Sequence, residues 1–270
     1  MGAKTGLLIY ADGEISQALR AASAPGPAQA AALVERLYPG RVVREGEPSS
    51  LGDGCYPSPG TVYAGSFPGV DVVCDQRVML DHPSELAGHL VEASAGRRLV
   101  LHAMHSVVDW LAFAVWEDGQ LVRSLSLSPD NGIMEDIGDP LPFEESFWAG
   151  EHPVPDDPDW SEEPYPLPFH PLDLGEAALR ALLGFILEGM PEPDDIDPYG
   201  IELLGFQIAD PDEVVAHDAA MEEAVRAMGQ PRRFTFGPDG SLSEIRSPSR
   251  MSFSWLASLV SKARRGSQQR

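Results

Sequence analysis

The sequence predicts an α/β to α+β fold: a mixed β-sheet with helices packed on it, followed by a C-terminal helix-and-hairpin appendage. Three observations carry this. Short apolar runs alternate with helical patterns up to about residue 95, the runs between 98 and 127 are joined by turn signals instead of helices, and the composition changes after Asp210. The last of these predicts a main domain over residues 1–210 and an appendage over 211–270.

Gly6–Ala11 is a short apolar run closed by Asp12-Gly13, as a buried strand requires. Glu14–Tyr38 has helical spacing in two pieces split by Pro25-Gly26-Pro27. Arg41–Glu45 predicts a strand, and the Gly-, Pro- and Ser-rich stretch 46–60 a loop. Thr61–Gly65 and Val70–Cys74 predict strands joined by a turn at Ser66–Gly69. A helix is expected over Pro83–Ala95, capped by Asp81 or His82 and ended by Gly96. Arg98–His105 is strand-like, and Trp110–Trp116 with Gln120–Leu127 form a hairpin around Asp118-Gly119. On its second arm Leu121, Leu125 and Leu127 are set against Arg123 and the serines, with Val122 breaking the pattern mildly. Glu151–Pro171 is a long acidic, proline-rich loop. Asp173–Glu188 predicts a helix with a capping box at Asp173 and Glu176 and a stop at Gly189, and Ile201–Ile208 a closing strand. Beyond it a helix over Pro211–Met228, a hairpin over Arg232–Ile245 and an amphipathic tail with Trp255, Leu256, Leu259, Val260 and Ala263 are expected.

With 270 residues, 43% of them hydrophobic, the chain can bury about three quarters of its unfolded surface without a disulfide or metal staple. Its two cysteines, Cys55 and Cys74, lack CxxC spacing. No apolar run approaches the roughly 20 residues of a membrane span, and the opening Met1-Gly2-Ala3-Lys4-Thr5 leads straight into a strand, so a cytoplasmic protein is expected. The charge is uneven. After Glu244 there are six basic and no acidic residues, which leaves the first 244 residues with 13 basic against 42 acidic groups, a formal charge of −29. Such a body repels a phosphate backbone and argues against nucleic acid as its partner. The basic tail has three readings: docking on the acidic body, lying on an anionic membrane surface, or meeting an acidic protein partner.

Lys4 and Lys262 are the only lysines, which leaves Lys4 as the sole Schiff-base candidate in the body. No GxGxxG, GxSxG or HExxH is present, and Gly2-Ala3-Lys4-Thr5 lacks the strand and glycine that a phosphate-binding loop needs, so no cofactor is indicated. Three strings are distinctive: Ala64 to Asp75, Leu101 to Trp110, and Pro164 to Pro171. With the Met1–Thr5 opening they resemble an uncharacterised family of actinobacterial proteins. The resemblance covers residues 1–208 and implies a bacterial cytoplasmic origin, without an activity or site residue to carry over.

Two constellations carry candidate chemistry. Asp12 follows the first strand, Cys74 and Asp75 end another, and His102 and His105 close the next. If these strands are parallel, their polar ends share one edge, where Asp and His residues suit a divalent metal or Cys74 a nucleophile with a histidine base. The alternative reading makes Asp12 a helix cap, Cys74 a buried small hydrophobe and the histidines core residues. Second, His102, His105 and Asp109 have helical spacing for a two-histidine, one-carboxylate metal site. Their apolar neighbours favour a strand, on which residues three apart face opposite sides. Asp195 to Gly200 resembles a calcium loop, but Phe206 stands where the bidentate glutamate belongs. Two functions remain open: a non-catalytic binding or regulatory protein using the cleft edge or the acidic loop, and a metal- or cysteine-dependent hydrolase built on Asp12, Cys74, Asp75, His102 and His105.

Overall fold

The fold was obtained as a computed structural model. It describes residues 2–22, 24–155 and 165–212, helical residues 219, 220 and 223, and the backbone of strands at 233–236 and 242–245. By its contacts the chain divides into two units, residues 1–215 and 216–270.

The first unit is a nine-stranded sheet covered on both faces. Its strands are β1 (Lys4–Ala11), β2 (Val42–Ser50), β3 (Thr61–Phe67), β4 (Val70–Cys74), β5 (Arg98–His105), β6 (Trp110–Glu117), β7 (Gln120–Ser128), β8 (Gly132–Ile137) and β9 (Glu202–Ala209). They lie in the order β2-β9-β3-β4-β1-β5-β6-β7-β8, with β1 at the centre. The expected mixed sheet is not what forms: every pair in it is antiparallel. The unbroken apolar run in β1 comes from cover on both faces, which an antiparallel sheet can have as well as a parallel one. Leu7, Ile9 and Ala11 point to the first face, Leu8 and Tyr10 to the second, and all are buried.

On the first face lie α1 (Ile15–Arg20), α3 (Leu51–Gly54), α5 (Glu145–Trp148) and α6 (Pro171–Leu183), contributing Ile15, Leu19, Leu51, Phe147, Leu174 and Leu179 to its core. On the second lie α2 (Pro27–Leu37), α4 (Gly88–Glu92) and the segment between β4 and α4, contributing Leu33, Val34, Val78, Leu86 and Leu90. The edge strand β2 is exposed over Arg44–Pro48, where two glutamates and a proline discourage pairing with another chain. No helix of the described residues is long and apolar enough to cross a membrane.

Several elements depart from expectation for identifiable reasons. β2 runs on through residues 46–50, and β8 forms after the turn at 129–131. The helix expected over 83–95 is a single 3-10 turn, Pro83–Glu85, then extended chain at Leu86 and Ala87, then α4. The Glu135 carboxylate fixes that turn by accepting from the Ser84 N–H (3.0 Å) and hydroxyl (2.5 Å), while Leu86 turns into the core. α6 begins at Pro171 with His170 as its cap, the Nδ1 accepting from the Leu172 N–H. It ends at Gly184, whose φ of +86° and closeness to Ser16 exclude a side chain. Glu176 accepts from the Leu187 and Glu188 N–H groups instead of closing a capping box.

The serines of β7 are not solvent-facing. Ser124, Ser126 and Ser128 are buried on the second face, where the Ser124 hydroxyl donates to Glu135 and that of Ser126 to the Asp81 carbonyl. Arg123, on the face of Leu125 and Leu127, is wholly buried and clamps Glu144 with two bonds of 2.9 and 2.7 Å. A bulge at Val115/Trp116 turns Leu121 to the second face.

In the second unit β10 (Arg233–Phe236) and β11 (Leu242–Ile245) pair antiparallel, as the hairpin pattern predicts. The tail stripe from Trp255 to Ala263, most of the helix expected after Pro211 and residues 156–164 of the acidic loop lie outside the described residues.

Candidate functional site

Antiparallel pairing removes the shared carboxyl edge on which the first constellation depends. β1 and β5 run in opposite directions, so Ala11 pairs with Arg98 at one end of the sheet and Lys4 with His105 at the other. Asp12 therefore sits at the far end, ion-paired to the Arg97 Nε at 2.8 Å. Cys74 and His102 flank Leu7 across β4, β1 and β5 on the first face. Both are sealed there. Cys74 is 0% exposed, and burial pushes its thiol well up, away from a reactive thiolate. His102 is 1% exposed, with the Thr5 hydroxyl 2.9 Å from its Nδ1 and the Gly175 carbonyl 3.0 Å from its Nε2. A carbonyl can only accept, so Nε2 carries the proton, Nδ1 accepts from Thr5, and the ring is neutral. Burial lowers its pKa to about 4. This histidine fastens α6 to the sheet.

Asp75 lies on the second face and is equally committed. It accepts from the Tyr38 hydroxyl at 2.6 Å and from the Arg77 side chain and backbone at 2.9–3.0 Å. Asp109, at a φ of +46° in the β5–β6 turn, has its carboxylate 3.6 Å from the His170 Nε2. His102 and His105 project to opposite faces, as strand geometry requires. Among the described residues no group of three His, Cys, Asp or Glu side chains is placed to hold a metal ion. Cys55 is also buried, its thiol directed at the Gly52 and Lys4 carbonyls and pushed by burial up to about 12. Both cysteines are free.

One of the candidates, His105, borders a pocket of about 340 Å³ at the end of the second face. Three segments distant in sequence build it. The chain after β4 supplies Met79 and Asp81, the β5–β6 hairpin His105, Val108 and Trp110, and the β7–β8 turn Ser128, Asp130 and Asn131. Asp81, Val108, Asp130 and Asn131 are exposed at the rim, whereas Trp110 is only 7% exposed. His105 and Trp110 pair directly across β5 and β6.

These two carry the pocket's distinctive chemistry. The His105 Nδ1 and the Trp110 Nε1 are buried and have no hydrogen-bond partner among the described residues. An unmet buried polar group costs about 1–3 kcal/mol, so two on paired residues of one pocket call for a cause. Around His105, the Tyr56 ring approaches edge-on at 5.9 Å and the Lys4 ammonium lies over that ring at 5.3 Å. Burial and then Lys4 lower the His105 pKa, which favours the neutral ring.

A larger pocket, about 420 Å³, lies farther along the same face between α2 and α4. Its Asp75, Tyr38, Arg77 and His89 side chains have partners. Asp75 holds Tyr38 and Arg77, the Arg77 guanidinium lies 4.6 Å from the Tyr38 ring centroid, and the His89 Nε2 is 3.1 Å from the Leu37 carbonyl. It is a packing seam between helices.

The sequence flags His105 but not Trp110, Asp81, Ser128, Asp130 or Asn131, which read as strand, cap and turn residues. The paired aromatic and histidine at the mouth of a hairpin are the signal that was there to find.

Fold and site together define an antiparallel α/β sandwich with a pocket at one sheet end, and two of the unmet buried polar atoms among the described residues, those of His105 and Trp110, belong to residues that line it. The chain belongs to a family of unknown function (DUF6928), whose model matches residues 5–206 and so takes in all three segments of the pocket. No curated protein and no solved structure matches the chain.

Proposed function

We propose that this is a non-catalytic binding protein that holds a small molecule in the pocket of Met79, His105, Trp110 and Ser128. The observation that carries the proposal is the pair of unpartnered buried nitrogens on two facing residues. A ligand oxygen brought to the Trp110 N–H, with a complementary group at His105, supplies the missing bonds after a small side-chain adjustment. The volume is at the small end of the usual range for ligand sites, and apolar walls with a few polar groups are their usual chemistry. Binding is preferred to hydrolysis because Cys74, Asp75 and His102 are each occupied in holding the fold together. Two free buried thiols support a cytoplasmic setting.

The test uses the indole N–H resonances of the five tryptophans, with Trp110 assigned by W110F. Titration with a mixed set of neutral, cationic and anionic fragments should yield binders that shift the Trp110 resonance, and W110F should weaken them at least tenfold. Binders that act only on other parts of the protein, or that ignore W110F, would sink the proposal.

A further inference from the structure

We infer that the ligand of this pocket is a small organic cation, an ammonium group on a compact body that also bears a hydroxyl or carbonyl oxygen. The inference rests on the reading of the pocket given above and specifies what fills it.

The polar rim supplies the charge. Asp81 and Asp130 come from different segments, stand exposed on the same opening, and have no ion-pair partner among the described residues. Two rim carboxylates alone would be an ordinary solvated surface. Trp110 makes them a site, because it is more than nine-tenths buried, lines the same pocket and has an N–H without an acceptor. Among the described residues that line the pocket there is no lysine or arginine to offset the negative rim. His105 is held toward its neutral form, and the Lys4 ammonium is engaged over Tyr56. The wider field has the same sign, since the first 244 residues carry a formal charge of −29, and a concave opening concentrates such a field.

Each remaining wall fits the same molecule. An indole is the best aromatic partner for a cation, and its N–H donates to an oxygen. Met79 offers a polarizable, adaptable surface and Val108 an apolar one for the body of the ligand. A phosphate or carboxylate would face two like charges at the mouth and find no cationic side chain among the lining residues. That argues against nucleotides and organic acids.

The experiment compares tyramine, tyrosol and 4-hydroxyphenylacetate on the full chain. They share a phenol and differ in carrying a positive, zero or negative charge. Tyramine should shift the Trp110 indole resonance and saturate at a concentration at least ~10-fold below tyrosol, a difference of about 1.4 kcal/mol. 4-Hydroxyphenylacetate should leave the resonance unmoved. The double variant Asp81→Asn with Asp130→Asn should bring tyramine to the level of tyrosol, and both positions are exposed, so the fold tolerates the change. If tyrosol or 4-hydroxyphenylacetate shifts Trp110 as strongly as tyramine, the cation assignment falls and the pocket stands. If none of the three shifts it, the cation assignment also falls, and the fragment titration decides separately whether the pocket binds anything. Tighter tyramine binding that survives the double variant overturns the role given to the two aspartates.

Discussion

His102 and His105 stand three residues apart on β5 and meet opposite environments. One has both nitrogens bonded inside the first core, and the other borders a pocket with Nδ1 unpartnered. Alternation along a strand produces that contrast. For His102 it has a consequence in pH. Its pKa falls from 6.5 in the unfolded chain to about 4 in the folded one, so the unfolded state binds the extra proton between those values. The stabilisation is complete above pH 6.5 and is lost as pH falls toward 4, by about 3 kcal/mol in all. Glu176 works the other way. Burial raises it from 4.5 to about 7, so its contribution is present below 4.5 and lost as pH rises through 7. The His102 effect must therefore be read as a difference. His102→Leu should cost about 2–4 kcal/mol at pH 7 by orphaning Thr5 and the Gly175 carbonyl. That deficit should shrink by pH 5, as urea titrations at the two pH values will show. A deficit that stays constant between them contradicts the neutral, buried ring.

At the scale of elements, the clearest case is the clamp between β7 and the chain after β8. Arg123 and Glu144 are both 0% exposed, with Asp136 at 2.5 Å, the Leu141 N–H at 2.8 Å and the Trp148 N–H at 3.1 Å completing the network. Removing one member of such a pair strands the other charge in the core, whereas replacing both with apolar groups does not. Glu144→Ala should thus destabilise by about 3–5 kcal/mol. The double variant Arg123→Met with Glu144→Leu should recover at least half of that loss. Equal losses in the single and double variants, measured by urea unfolding, would show that the clamp is not the cause. Arg123 has the strand parity of Leu125 and Leu127 and so shares their face, where it is buried because α5 and the Pro142–Glu144 turn cover that face and bring a carboxylate.

At the scale of the molecule, residues 1–215 hold both core clusters and the whole nine-stranded sheet. A chain ending after Val215 should therefore unfold in one cooperative transition, with a midpoint within about 5 °C of the intact protein, a shift equivalent to 1–2 kcal/mol in a domain of this size. Scanning calorimetry of the two chains checks this. A broad transition, or one displaced far downward, would mean that the region beyond residue 215 belongs to the main core.

The sequence by itself placed most of the strands and their turns, because apolar period, glycine, proline and capping residues act within a few positions of one another. β8 escaped because its half-exposed run Gly132–Ile137 lacks a clean alternation, and the 83–95 helix failed because Glu135, some 50 residues away, holds Ser84 in a tighter turn. The tertiary structure decided the direction of the strands, the burial of Arg123 and the serines, and the company each polar residue keeps. His105 meets Lys4 across 101 positions of chain, and Met79 meets Ser128 across 49, through hydrogen bonds and packing that leave no local pattern. Residues eligible for chemistry were legible one at a time. Which of them converge is fixed by pairing between distant strands, a property no short window of sequence contains.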